Sequence, residues 1–128
     1  MTRIEQKVIE LAHKYVHKID PFNKSLHVSV AMRGDFFITY GINHESSSHP
    51  HAFGYQHNSI HSEWDLIKRF KRKFPIQRMN ECEIWNIRLT RKWEIRNSRP
   101  CGRCFRLLDK VNPGRVLYST DDGVFLQL

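Results

Sequence analysis

No stretch of this sequence approaches the roughly twenty apolar residues that a membrane-spanning helix needs. The opening Met1-Thr2-Arg3-Ile4-Glu5-Gln6-Lys7 is followed by no apolar core of signal-peptide length. A soluble, intracellular and cytoplasmic protein is therefore expected. Cysteine is scarce, with three in 128 residues, an odd number that cannot pair completely and that argues against a disulfide framework. Acidic residues are also in short supply: Asp+Glu 13 stand against Lys+Arg 21, leaving a net charge of +8. That imbalance favours an anionic partner, phosphate either free or polymeric, unless the charge serves solubility alone. There is no internal repeat, and Ser46-Ser47-Ser48 is the one low-complexity tract.

What is present suffices for one compact domain over residues 1–128, with 40% apolar content to fill its core. Ile4, Val8, Leu11, Ala12 and Tyr15 fall at helical spacing, which predicts an amphipathic helix over residues 2–18, stopped by Asp20-Pro21. From Leu26 the period changes to two. Leu26, Val28 and Val30 alternate with His27, Ser29 and Ala31, and Arg33-Gly34-Asp35 offers a turn into Phe36-Phe37-Ile38-Thr39-Tyr40, so a β-hairpin is predicted. The polar stretch over 43–59 is too long for a mere connector and is a candidate functional loop.

Helical spacing returns with Ile60, Trp64, Ile67 and Phe70, and Phe74-Pro75 ends that helix. Cys82, Ile84, Ile87, Leu89, Trp93 and Ile95 then read as strand structure, turned near Thr90-Arg91-Lys92. Pro100 is expected in the first turn of a third helix carrying Cys101, Cys104, Leu107, Leu108 and Val111, closed by Pro113-Gly114. Arg115 to Ser119, the Asp121-Asp122-Gly123 turn and Val124 to Leu128 make a terminal hairpin. This order predicts an α/β fold, a sheet of about five strands with helices packed on it.

Two short motifs carry the chemistry. His61-Ser62-Glu63 opens the second helix and Pro100-Cys101-Gly102-Arg103-Cys104 opens the third. Together they match the His-x-Glu and Pro-Cys-x-x-Cys signature of zinc-dependent base deaminases. Zn²⁺ prefers four tetrahedral ligands of thiolate and imidazole type, and a catalytic site supplies three and leaves the fourth position to water. His61, Cys101 and Cys104 are the candidate metal ligands, and unpaired N–H groups at a helix start favour the thiolate. Glu63 is the candidate catalytic proton carrier: it takes a proton from the activated water, delivers it to the ring nitrogen beside the amine-bearing carbon, and assists the departure of ammonia. Two alternatives stay open, a closed zinc site with His49, His51 or His57 as fourth ligand and a metal-free redox CxxC. Neither explains a carboxylate two places after the His. Cys82 is left over and reads as a small core residue.

On these motifs the chain resembles the cytidine and deoxycytidylate deaminase superfamily over nearly its whole length. The resemblance implies a cytidine deaminase-like, α-β-α sandwich-like fold with helices on both faces of a mixed sheet, a bound Zn²⁺, and hydrolytic conversion of cytosine to uracil. A His ligand is similar to deoxycytidylate, tRNA-adenosine and APOBEC-type members, whereas the terminal antiparallel hairpin is similar to the free-cytidine and bacterial-toxin branch. Gly41-Ile42-Asn43 is similar to the end of the family's second strand, which makes Asn43 a substrate-binding candidate. Ser62 stands where Ala is more usual, and its backbone N–H could address the base carbonyl.

The basic run Lys68, Arg69, Lys71, Arg72, Lys73 and the series Arg88, Arg91, Lys92, Arg96, Arg99, Arg103, Arg106 favour a nucleotide or single-stranded nucleic acid as substrate. Phe53, Tyr55, Trp64 and Tyr118 are candidate base platforms, with Arg99 and Arg103 as anion contacts; the bland alternative is a solvated basic face and a core position for Trp64. Three functions follow: a cytosine deaminase acting on a nucleotide or polynucleotide, a salvage enzyme for free deoxycytidylate or cytidine, and a catalytically silent, zinc-stabilised nucleic-acid-binding module. No membrane partner is expected, and a homo-oligomer is left open.

Overall fold

The computed structural model describes residues 1–21, 26–45 and 59–128. The N-terminal apolar stripe forms α1 (Arg3–Val16), burying Val8, Ala12, Tyr15 and Val16. Its start is fixed by a reciprocal cap. The Thr2 hydroxyl accepts from the Glu5 N–H at 3.1 Å, and the Glu5 carboxylate accepts from the Thr2 N–H at 2.9 Å. A cap of this kind contributes about 1 kcal/mol.

The predicted hairpin is present as β1 (Leu26–Arg33) and β2 (Phe36–Ile42), with Arg33 paired to Phe36 across a two-residue turn. Gly34 holds φ 58° there, a conformation open to glycine at little cost. Two short strands, β3 (His44–Glu45) and β4 (Ser59–Ile60), pair with each other outside the main sheet. α2 (Ser62–Lys71) follows, with His61 as its N-cap residue. Between α2 and the next strand lies a 3₁₀ helix, Ile76–Glu81, that apolar spacing does not suggest, because only Met79 of its six residues is buried.

Several expected boundaries move, the second helix among them, since Ile60 lies in β4 and α2 starts at Ser62. Cys82 ends the 3₁₀ helix instead of beginning a strand, and β5 runs Glu83–Leu89. Trp93 lies in the turn before β6 (Ile95–Arg96), at φ 66°. The Thr90 hydroxyl accepts from the N–H groups of Lys92 and Glu94, and the Trp93 N–H donates to the Thr90 carbonyl, so local hydrogen bonds override the apolar alternation. Pro100 and Cys101 precede α3 (Gly102–Val111), with Cys101 as its N-cap and Asn112 closing it in the left-handed region. β7 (Arg115–Ser119) and β8 (Phe125–Gln127) make the terminal hairpin.

The mixed sheet is ordered β2-β1-β5-β7-β8, with β6 added beside β5, and β5 and β7 are its parallel pair. Helices cover both faces, as expected. α1 packs with Val28, Val30, Met32, Trp85 and Ile87 on one face; Leu66, Ile67 and Phe70 of α2 and Leu107 and Leu108 of α3 pack with Ala31, Ile84 and Val116 on the other. Each fully buried aliphatic or Phe side chain in these clusters contributes about 1.5–3 kcal/mol. Cys82 is buried in the second cluster and is not disulfide-bonded. No helix among the described residues is long and apolar enough to cross a membrane.

The parallel pair decides where a site can form. α2 leads toward β5 and α3 leads into β7, so both helices run back across the sheet and begin over the same edge. Gly41 lets α2 come down onto β2, since a Cβ at that position would overlap the Ser62 carbonyl and the backbone of Leu66.

Candidate metal centre and active site

The two helix starts bring their N-cap residues together. His61 Nδ1 lies 3.7 Å from Cys101 Sγ and 3.4 Å from Cys104 Sγ. The three ligand atoms are all within 4.8 Å of one another. Zinc bonds of about 2.3 Å to sulfur and about 2.0 Å to nitrogen at tetrahedral angles would separate S from N by about 3.5 Å. The observed distances bracket that value, and the N, S, S donor set suits zinc, so these residues fit the ion.

Charge at the cluster favours the thiolate form of Cys101 that ligation needs. The Cys104 side chain and then His61 hold the Cys101 thiol down at about 3, so it is a thiolate at neutral pH. The same contact with Cys101 raises His61, against the effect of its burial. Cys101 is exposed and Cys104 is buried, so the cluster sits at the rim of the core with one side toward solvent.

Glu63 lies two residues along α2 from His61, 6% exposed. Burial raises its pKa, outweighing the lowering influence of its hydrogen bonds and of His61. The Ser62 hydroxyl donates to Glu63 Oε1 at 3.1 Å, and Asn86 Nδ2 donates to Oε2 at 3.2 Å. Ser29 Oγ donates to Asn86 Oδ1 at 2.7 Å and lies 2.8 Å from Ser62 Oγ. When Glu63 is ionised, the hydroxyl and amide hydrogens serve three of these four contacts and leave Ser29 Oγ–Ser62 Oγ without one; a proton on the carboxyl lets Ser62 accept from Glu63 and donate to Ser29, and all four are then served. Both carboxyl oxygens keep a partner in either protonation state that a proton carrier passes through, and the protonated state completes the network.

Cross-strand register explains why these side chains meet. Gly41, Ser29, Asn86 and Tyr118 are successive partners across β2, β1, β5 and β7, a row of small and polar groups beneath the start of α2. The next row toward the edge pairs His27 with Arg88, and Asn43 is bonded to His27 through its backbone N–H at 3.3 Å and its Oδ1 at 2.8 Å. Burial first, then Arg88 and His61, lowers the His27 pKa to about 4, so its imidazole is neutral.

The remaining expected substrate contacts divide. Asn43 reaches the row beside the site, and Ser62 is part of the Glu63 network. Tyr118 is buried, with the Arg99 guanidinium carbon 5.9 Å from its ring centroid. Trp64 is half-buried and packs on the α2–α3 side of the core, as its helical spacing allowed. Arg103 is exposed on the first turn of α3. Phe53 and Tyr55, with His49, His51 and His57, lie outside the described residues. Of the basic run, Arg69 is paired with Asp65 at 3.0 Å and stacked over Tyr40.

Sequence reasoning missed Ser29 and Asn86. The available signal was an Asn inside the apolar run Ile84-Trp85-Asn86-Ile87, a residue type depleted from strands unless something demands it.

No family model and no curated protein sequence matches this chain. Solved structures do. Cytidine deaminase from Burkholderia pseudomallei superposes with a TM-score of 0.67 at 16% identity, over 100% of this chain and 92% of that one. The fold is that of the cytidine and dCMP deaminases. The dCMP deaminase of cyanophage S-TIM5 matches with a TM-score of 0.62 at 13% identity, covering 97% of this chain and 90% of its own. Cytidine deaminase from Mycobacterium leprae matches with 0.60 at 16% identity, over 93% and 88%. The His/Cys/Cys cluster and Glu63 thus sit on a cytidine deaminase-like scaffold covered nearly end to end.

Proposed function

We propose that this protein is a zinc-dependent hydrolytic deaminase that converts cytosine to uracil in a nucleotide or single-stranded nucleic acid. The observation that carries the reading is the convergence of His61, Cys101 and Cys104 beside a buried, hydrogen-bonded Glu63. Zinc held by those three side chains would supply a Lewis acid with one position open to water, bringing the pKa of that water to about 7. Glu63 takes the proton from the attacking water on a carboxylate oxygen, passes it to the ring nitrogen beside the amine-bearing carbon, and assists the loss of ammonia. Asn43 and the Ser62 backbone are the proposed contacts to sugar and base, and Arg99 and Arg103 the proposed contacts to phosphate.

The net charge of +8 and the exposed Arg88, Arg91, Lys92, Arg99 and Arg103 support a phosphate-bearing substrate. Likeness to a dCMP deaminase supports a second reading, in which the substrate is the free mononucleotide. One experiment separates them. Purified protein is incubated with cytidine, deoxycytidylate and single-stranded DNA and RNA oligomers, and deamination is read by mass and by ammonia release. Product from an oligomer, reduced about 100-fold or more in Glu63→Ala with zinc retained, is the expected result. Product from the mononucleotide alone establishes the second reading, and no product from any base rejects both.

A further inference from the structure

Glu63 is held by more than its place on a helix. A glutamate in the first turn of a helix beside a solvent-facing cluster has three rotatable side-chain bonds and would ordinarily turn outward to water. Here both carboxylate oxygens are bonded, Oε1 to Ser62 Oγ at 3.1 Å and Oε2 to Asn86 Nδ2 at 3.2 Å. Ser29 closes the circuit, 2.8 Å from Ser62 Oγ and 2.7 Å from Asn86 Oδ1. Relative exposures of 0% for Ser29, 2% for Ser62, 3% for Asn86 and 6% for Glu63 put the whole circuit out of solvent.

We propose that Ser29 and Asn86 are positioning residues for the Glu63 carboxylate, completing with Ser62 a closed four-membered ring that fixes the plane of the proton-carrying group; this rests on the reading of Glu63 as the proton carrier. Ser62 and Glu63 belong to α2, whereas Ser29 and Asn86 are direct partners on neighbouring strands β1 and β5. The ring therefore ties the carboxylate to two interior strands of the sheet, each paired on both sides, independently of the helix backbone. Ser29 offers its hydroxyl to Asn86 Oδ1, which leaves Asn86 Nδ2 oriented toward Oε2. Neighbouring positions on the same sheet face are apolar, Ala31 beside Ser29 and Ile84 beside Asn86, so apolar packing could have filled this row. Polar groups are costly there unless every one is satisfied. What the two polar side chains add is direction for a carboxylate, and small displacements of a reacting group are enough to reduce rates by about 100-fold.

The test compares wild type with Ser29→Ala and Asn86→Leu, Ser29→Ala being the milder change should Asn86→Leu fail to fold. With the cytosine substrate that wild type turns over, kcat is expected to fall about 10- to 100-fold while KM stays within about 2-fold, with zinc content unchanged. A folded, zinc-loaded variant that keeps kcat within about 2-fold overturns the proposal. A second readout needs no turnover. In wild type the Asn86 side-chain amide should give a dispersed NMR signal that exchanges slowly with water, and Glu63→Ala should speed that exchange about 10-fold or more by removing its acceptor. Absence of protection in wild type rejects the ring. Protection without turnover of any base rejects the deaminase reading and leaves the ring standing as a hold on the carboxylate.

Discussion

His27 shows how one side chain can make stability depend on pH. Its imidazole is half-buried beside Arg88 and near His61, and loss of solvation first, then those two charges, lowers its pKa from the usual 6.5 to about 4. Between these values the unfolded chain takes up a proton that the folded chain refuses. The neutral imidazole therefore contributes stability above about pH 6.5, which is lost as pH falls toward 4. The thermal midpoint of wild type should drop more steeply from pH 6.5 to 4.5 than that of His27→Phe, measured in parallel with the same zinc loading. Equal slopes would show that His27 takes no part. At this scale the clustering of His61, Cys101 and Cys104 was legible because the spacing of the two motifs suits chemistry that few other arrangements satisfy. Ser29 and Asn86 were not, because their role comes from cross-strand register, which joins residues 57 positions apart.

Among the elements, Gly41 is the point on which the site's assembly turns. It allows the Ser62–Leu66 backbone to rest directly on β2, and the Asp65 carboxylate locks that approach by accepting from the Ile42 N–H at 2.9 Å. Gly41→Ala would press a methyl against backbone that cannot give way. The expected cost is about 3 kcal/mol or more, read by denaturant unfolding, with loss of any Glu63-dependent activity as α2 is displaced. A variant of wild-type stability would mean that α2 has room to lift. The helices and the two hairpins were readable because apolar period and turn residues agree with tertiary structure. The 3₁₀ helix and the Trp93 turn were not, since each is fixed by local hydrogen bonds that change no apolar pattern.

For the molecule as a whole, the sheet supplies position and the proposed metal supplies tension between distant segments. Removal of zinc by a chelator should lower the thermal midpoint and be reversed by one equivalent of metal; Cys101→Ser should bind less zinc and gain little from its return. An unchanged midpoint after complete metal removal would show that the ion is not part of the folded framework. The layered order and the C-terminal hairpin could be foreseen from the alternation of helical and strand patterns. That β5 and β7 are parallel, and so bring both helix starts to one edge, is a property of chain topology that neither motif contains by itself.

The contact between His61 and Cys101 spans 40 positions of sequence. An ion gripping both would act as a removable clasp on a long loop, and a crosslink of that reach restricts an unfolded chain by about 4 kcal/mol. Unclasping should then loosen the amides at the beginnings of α2 and α3 in concert while those of α1, on the far side of the sheet, keep their protection. The chain would have a reversible seam whose closure answers to the supply of a trace element.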